Sequence, residues 1–311
     1  MRRPILLDCD PGNDDALGIL VACGSPNLAL TAVTTGAGHL SHDRTARNAA
    51  IALAAAKASR IPVTRGAEGP LVRERLIAQA FDMERGLDRE RTDLAMAAIE
   101  PDTTSAEMIA TAAMAGEPLT IVTTGPLTNL ALALRNRPVI ATELRRIVML
   151  CGAWGLGNKT AAAEWNVLCD PEAAAIVFAC GAPMTLVPID AASQVTIDDA
   201  LVKAVATQGG AVAPFTVELL QSLRSTHRPG VLGPPEMPLN DPLAPLIAAD
   251  PKLVRTAPAR VDVELAGRHT YGRTVIDFAD RAKLGFNCDV AVAFDVAASR
   301  RAFVAALSNF N

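Results

Sequence analysis

Aromatic residues are scarce in this chain, and so is any excess of positive charge. Phe, Trp and Tyr make up 4% of 311 residues, with two Trp and one Tyr, too few for a surface that stacks on successive bases. Lys and Arg number 29 against 33 Asp and Glu, a formal net charge of −4. With no basic tract, a nucleic-acid partner is not expected. No apolar run reaches the ~20 residues of a membrane span without polar interruption. Met1-Arg2-Arg3 leads straight into a strand-like run and lacks the apolar core and cleavage site of a signal peptide. The cysteines, at 9, 23, 151, 169, 180 and 288, are scattered and form no Cys-x-x-Cys pair. They read as reduced core thiols, not as a disulfide frame or a zinc site. These absences leave a cytoplasmic enzyme with a small-molecule substrate, no nucleic-acid partner and no membrane.

What is present is acidic and early. Leu6-Leu7-Asp8-Cys9-Asp10-Pro11-Gly12-Asn13-Asp14-Asp15-Ala16 puts four carboxylates into residues 8–15, between two apolar runs. A strand over 4–10 turns Asp8 and Asp10 to one side of a sheet. Pro11 holds Asp10 extended, Gly12 permits a sharp turn, and Asp14 and Asp15 open a helix, where carboxylates suit the free N–H groups. Capping alone accounts for one Asp at a helix start. It does not account for Asp8 and Asp10 at the end of an apolar strand, where ionised oxygens repel unless a cation or proton intervenes. Oxygen donors of this kind suit calcium or magnesium.

The rest of the chain alternates. Helices are expected over 14–23, 46–58, 104–115, 127–134, 171–179, 197–208, 212–223, 243–249 and 295–307. Strands are expected over 28–35, 61–64, 119–123, 146–150, 184–187, 261–265, 274–278 and 288–294. This rhythm predicts an α/β protein with an open, mostly parallel sheet and helices on both faces. A single domain over 1–311 is expected, with possible lids near 66–103 and 209–238. In such sheets the ligand sits beyond the carboxyl ends of the strands. The Asp cluster, the His39 loop, Thr124 and the loop 152–158 all follow strands, so they are expected on one rim.

Four segments carry a resemblance: DxDPGxDDA after the first strand, TTGPLTNLA at 123–131, GNKTAAAEWNVLCDPEAA at 157–174 and LNDPLA at 239–244. In that order, over nearly the whole chain, they resemble the signature segments of the inosine–uridine-preferring nucleoside hydrolases. The resemblance implies calcium-dependent cleavage of a ribonucleoside into free base and ribose. It implies Asp10, Asp15, the Thr124 carbonyl and Asp241 as calcium ligands, and Asp10 as the group that takes a proton from the attacking water. Asp14 matches the contact to the ribose 2′-hydroxyl, and Asn158, Glu164 and Asn166 match the groups that hold the 3′- and 5′-hydroxyls. Asp8 reads as a support for the ligands. A homodimer or homotetramer is implied by the same likeness.

The departures fall where the base is handled. His39 stands where the family usually has Asn, Asp82 where it often has His, and Leu150 where many members have Met. Asn240 replaces the His that protonates the departing base, and Asn donates no proton at neutral pH. His39 and His227 are the candidate replacements, and Trp154 and Trp165 are candidates for stacking on the base, with Trp165 the more core-like. His42 starts or faces the second helix, and His269 lies in a late turn. Two other readings stay open at this stage. One is a haloacid-dehalogenase-type phosphotransferase, which Gly12 and the Asp14-Asp15 pair fit badly. The other is a nucleoside-binding protein with lost turnover.

Overall fold

The structure is a computed structural model that describes residues 2–76, 87, 97–229 and 233–310. Asp82 and much of the expected lid near 66–103 lie outside those residues. So does the short stretch 230–232 of the segment 209–238, nearly half of which is the helix Ala213–Thr226.

The strands are β1 (Arg3–Cys9), β2 (Leu28–Thr35), β3 (Val63–Arg65), β4 (Ile99–Glu100), β5 (Leu119–Thr123), β6 (Leu144–Leu150), β7 (Met184–Val187), β8 (Val254–Val263), β9 (Thr274–Asp277) and β10 (Cys288–Phe294). They form one ten-stranded sheet in the order β4-β3-β2-β1-β5-β6-β7-β10-β8-β9. Pairing is parallel from β4 through to β10 and antiparallel only at β8 and β9.

Alternation of side chains builds a core on each face. Ile5, Leu7, Val122, Val148 and Leu150 face the helices Asn13–Gly24, Ala213–Thr226, Leu243–Ala249 and Val296–Ser308. Leu6, Ile121, Ile147 and Met149 face the helices Ser105–Ala113, Thr128–Asn136 and Pro171–Phe178. Strands covered on both sides read as unbroken apolar runs, which is why β1, β5 and β6 are legible in the sequence. The helix Asn13–Gly24 is apolar nearly all round and correspondingly buried. Gly18 on that helix faces the Asp241 backbone, where a Cβ would make ordinary contact at 3.7 Å from the Asp241 carbonyl carbon. The late Asp-Pro turn packs there on the early acidic helix.

Differences from the expected elements have local causes. The strand expected over 261–265 runs from Val254 to Val263; Arg255, Thr256 and Pro258 in its first half are exposed, which hides its pattern. The helix expected from 197 starts at Asp199, because the Asp198 carboxylate accepts the Leu201 N–H at 2.7 Å and ends the preceding extended segment. The second helix spans His42–Ala55, somewhat earlier than expected.

Asp170 ties distant segments together. Its side chain caps the helix Pro171–Phe178 through Ala173 N–H (3.0 Å) and also accepts from Leu71 N–H (2.9 Å) and Thr128 Oγ1 (2.7 Å). Asp170→Ala leaves three donors without an acceptor and is expected to lower stability by roughly 2–4 kcal/mol, read from urea unfolding.

Candidate active site

The carboxyl ends of β1, β2, β5 and β6 lie side by side, and the loops leaving them interlock. Gly36 N–H bonds to the Cys9 carbonyl (3.0 Å), and Thr124 N–H to the Asp8 carbonyl (3.0 Å). The Asn166 amide then donates to the carbonyls of Thr124 (2.8 Å) and Leu150 (3.0 Å). Ordinary ladder continuation and one well-placed amide bring the four loops to a common rim.

Asp8 points into the protein. One of its oxygens accepts from Thr34 Oγ1 (2.7 Å) and from the Asn129 amide (2.8 Å), while burial pushes its carboxyl up to about 7. It braces the rim, as the sequence suggested. Asn129, within the TTGPLTNLA segment, had no assigned part. It also reaches the Thr35 carbonyl (3.1 Å) and receives Ala67 N–H (2.9 Å), so it joins three loops.

Asp10 lies in a slot between glycines. A Cβ on Gly38 would come within 1.9 Å of its Oδ2, and one on Gly125 within 2.7 Å of its Oδ1. The His39 backbone N–H donates to the same Oδ2 (3.2 Å), and His39 Nδ1 lies 3.5 Å from it. Gly38→Ala is expected to displace this carboxylate and lower kcat by at least about tenfold, with an unchanged far-UV circular dichroism spectrum.

Asp14, Asp15 and Asp241 close into a trio. Each offers a carboxylate oxygen, and these atoms all lie within 4.8 Å of one another, an arrangement able to hold a metal ion. Asp15 is held by Thr124 Oγ1 (2.6 Å) and Gly12 N–H (3.2 Å), and Asp14 accepts from Asp15 N–H (3.3 Å). Burial raises all three carboxyls. Repulsion from Asp10 and among the three carboxylates adds to it. Hard, anionic, closely spaced oxygens under that strain fit a divalent cation.

The remaining candidates lie on the neighbouring loops. Glu164 accepts N–H bonds from Gly152 (2.9 Å), Asn166 (2.9 Å) and Val167 (3.1 Å), and its carboxyl is raised by burial. Asn158 Oδ1 accepts the Trp165 N–H (2.9 Å). Much of the polar capacity of these two side chains therefore shapes the loop. Trp165 is 5% exposed, yet it stacks on His39 with centroids 4.0 Å apart and planes at 16°. Asn240 adopts φ +50°, which Asn tolerates better than most residues, in the turn that presents Asp241. The other histidines lie on different contacts: His227 Nε2 is 3.1 Å from the Pro234 carbonyl oxygen, His42 opens its helix near Asp43 and Glu68, and His269 is exposed in the turn between β8 and β9. Trp154 has its backbone N–H held by Asp190 (2.9 Å) and its ring edge-on to Phe278.

Known proteins resemble this chain in sequence and fold. A family model described as inosine-uridine preferring nucleoside hydrolase matches residues 5–301. The chain is 38% identical over 278 residues to the pyrimidine-specific ribonucleoside hydrolase RihA of Salmonella schwarzengrund, with 89% of each chain covered. Among solved structures, the plant nucleoside hydrolase PpNRh1 superposes with a TM-score of 0.87 at 28% identity, covering 99% of both chains. The purine-preferring ribonucleoside hydrolase from Gardnerella vaginalis gives 0.86 at 28% identity, covering 98% of both. The chain belongs to the inosine-uridine preferring nucleoside hydrolase family, whose members hydrolyse the N-glycosidic bond of ribonucleosides.

Proposed function

We propose that the chain hydrolyses pyrimidine ribonucleosides to free base and ribose, with calcium at the acidic trio and Asp10 as the base. The observation that carries this reading is the meeting of Asp14, Asp15 and Asp241 within 4.8 Å, from opposite ends of the sequence. Asp15, Asp241 and the Thr124 carbonyl would hold the ion, with Asp10 beside them. Calcium, when bound, would acidify a water and grip vicinal hydroxyls. Asp10 then takes the proton, its carboxylate fixed by the glycine slot and by His39 N–H. Asp14 orients the 2′-hydroxyl, and Asn158, Glu164 and Asn166 fix the far side of the sugar, turning binding energy into alignment. The many carboxylates favour the ribosyl cation that forms as the C–N bond breaks. Preference for a pyrimidine rests on the likeness to the pyrimidine-specific relative, 38% identical over 89% of the chain.

The test is release of free ribose from uridine, cytidine and inosine, with and without chelator. Release from the pyrimidines that stops on chelation supports the reading. Release that ignores chelator removes the metal from it, and faster inosine cleavage removes the pyrimidine.

The same reading includes a cytoplasmic setting in base salvage and an assembly of two or four copies. Six free cysteines suit a reducing compartment. Val275, Phe278, Leu284 and Phe286 expose apolar surface on and just beyond β9, the sheet's open edge. Sedimentation gives the assembly state directly. Among the described residues no helix is long and apolar enough to cross a membrane.

A further inference from the structure

Local rules disfavour Asn48 where it stands. It lies in the middle of the helix His42–Ala55, where every residue from Ala49 to Ala54 is a buried hydrophobic. Asn is a weaker helix former than Ala, and at 3% exposure its side chain has given up water. Nδ2 donates to the Pro11 carbonyl at 2.8 Å, while Oδ1 is buried with no partner among the described residues. A buried acceptor without a donor lowers stability, so packing alone favours an apolar side chain at this position. What the amide supplies is its N–H to Pro11.

That contact reaches the acidic trio through one peptide. The Pro11 carbonyl and the Gly12 N–H belong to the same planar unit, and the Gly12 N–H donates to Asp15 Oδ2 at 3.2 Å. In a trans peptide the C=O and N–H point in opposite directions, so a group that holds the oxygen also aims the N–H. The turn itself does not hold this plane. Gly12 has no Cβ and admits a wide range of φ, and Pro11 fixes its own φ but not the ψ on which the plane turns. Asn48, 37 positions away, fixes what the turn leaves loose. The neighbouring Asn13 amide is engaged elsewhere, with Ser222 Oγ at 3.0 Å. Thr124 Oγ1 holds the other Asp15 oxygen, Oδ1, at 2.6 Å. Asp15 is therefore fixed at one oxygen by the loop after β5 and at the other through a peptide that Asn48 clamps.

We propose that Asn48 is a positioning residue of the metal site: through the Pro11–Gly12 peptide it sets the orientation of the Asp15 carboxylate, and with it the affinity for the cation. This rests on the reading of Asp15 as a calcium ligand. Hydrogen bonds in series polarise one another, so the amide also strengthens the Gly12 N–H as a donor to Asp15.

Calorimetric titration with calcium compares the wild-type protein with Asn48→Leu, which keeps the branched shape and loses the donor, and with Asn48→Ala, which avoids crowding. Each is expected to raise the calcium Kd roughly tenfold, the upper range for one hydrogen bond. The calcium concentration that half-saturates base release should rise by the same factor, with kcat recovering at saturating calcium. A residue that only supports the fold lowers Tm and moves neither number. Asn287 provides that control. Its amide likewise ties backbone together, bonding to Val261 N–H and to the carbonyls of Phe178 and Val261. It stands at the start of β10, which runs parallel to β7, so it lies away from the carboxyl rim. Asn287→Ala is expected to lower Tm and leave the calcium Kd unchanged. An unchanged Kd in a folded Asn48 variant overturns the proposal, as does an equal rise in Asn287→Ala. Calcium binding by the wild-type protein without release of base from any nucleoside overturns the parent reading alone, and the Kd comparison still decides the role of Asn48. No calcium binding by the wild-type protein overturns both.

Discussion

Asp10→Asn is expected to lower kcat by roughly 10²–10⁴, the range for loss of a positioned general base, while calcium affinity and sugar binding fall much less. The substitution keeps the shape of the side chain. Gly38 and Gly125 leave a slot that fits a planar group of that size, and an amide oxygen still accepts the His39 N–H. What disappears is the ability to take a proton. Asp15→Asn is expected to behave differently. Asp15 sits inside the trio and is anchored by Thr124 and Gly12, so it has little freedom to make good a lost ligand. Calcium binding should weaken strongly there, with KM rising along with the loss of kcat. Calcium titration by calorimetry, paired with single-turnover rates, separates the two. Equal loss of calcium in both variants would leave Asp10 as a ligand and nothing more.

The central sheet is legible because its strands are covered on both faces. Ile5-Leu6-Leu7 and Ile147-Val148-Met149-Leu150 read as buried, and the acidic turn that follows β1 holds more carboxylates than helix capping uses. Edges are harder to read. β8 faces solvent along much of its length and carries Arg255 and Arg260, so its first half has no apolar pattern to find. β4 has two residues, held by pairing to β3 and not by local propensity. Within the site, spacing alone could not say which carboxylates close on one another. Asp14 and Asp15 are neighbours on a helix, where successive side chains project in different directions. Asp241 nevertheless approaches both, because the late turn packs on the helix at Gly18. Asn129 and Asp8 meet across 121 positions, a contact that no local pattern encodes. Trp165 looked like core and is indeed buried, but the face it presents to His39 makes it part of the rim.

Calcium is expected to stabilise the protein, and the size of the effect depends on the trio more than on the rest of the fold. Without a cation, Asp14, Asp15 and Asp241 crowd together at the end of the sheet and repel one another, which raises all three carboxyls. Such an arrangement weakens the fold, since each buried charge lacks an opposite partner. Binding at a hundredfold excess over Kd adds about 2.7 kcal/mol, a rise in Tm of about 4 °C for a chain of this size. Asp241→Asn should invert the usual result of altering a buried polar group. It removes one of the mutually repelling charges and keeps a side chain that can still hydrogen-bond to Asp14. In chelator, the variant is therefore expected to melt at or above the wild-type temperature. In calcium it should fall below, because the added ion no longer raises its Tm. A variant that melts lower in chelator and still gains the full calcium shift would mean that the ion binds elsewhere, and that Asp241 is held in the trio for packing alone.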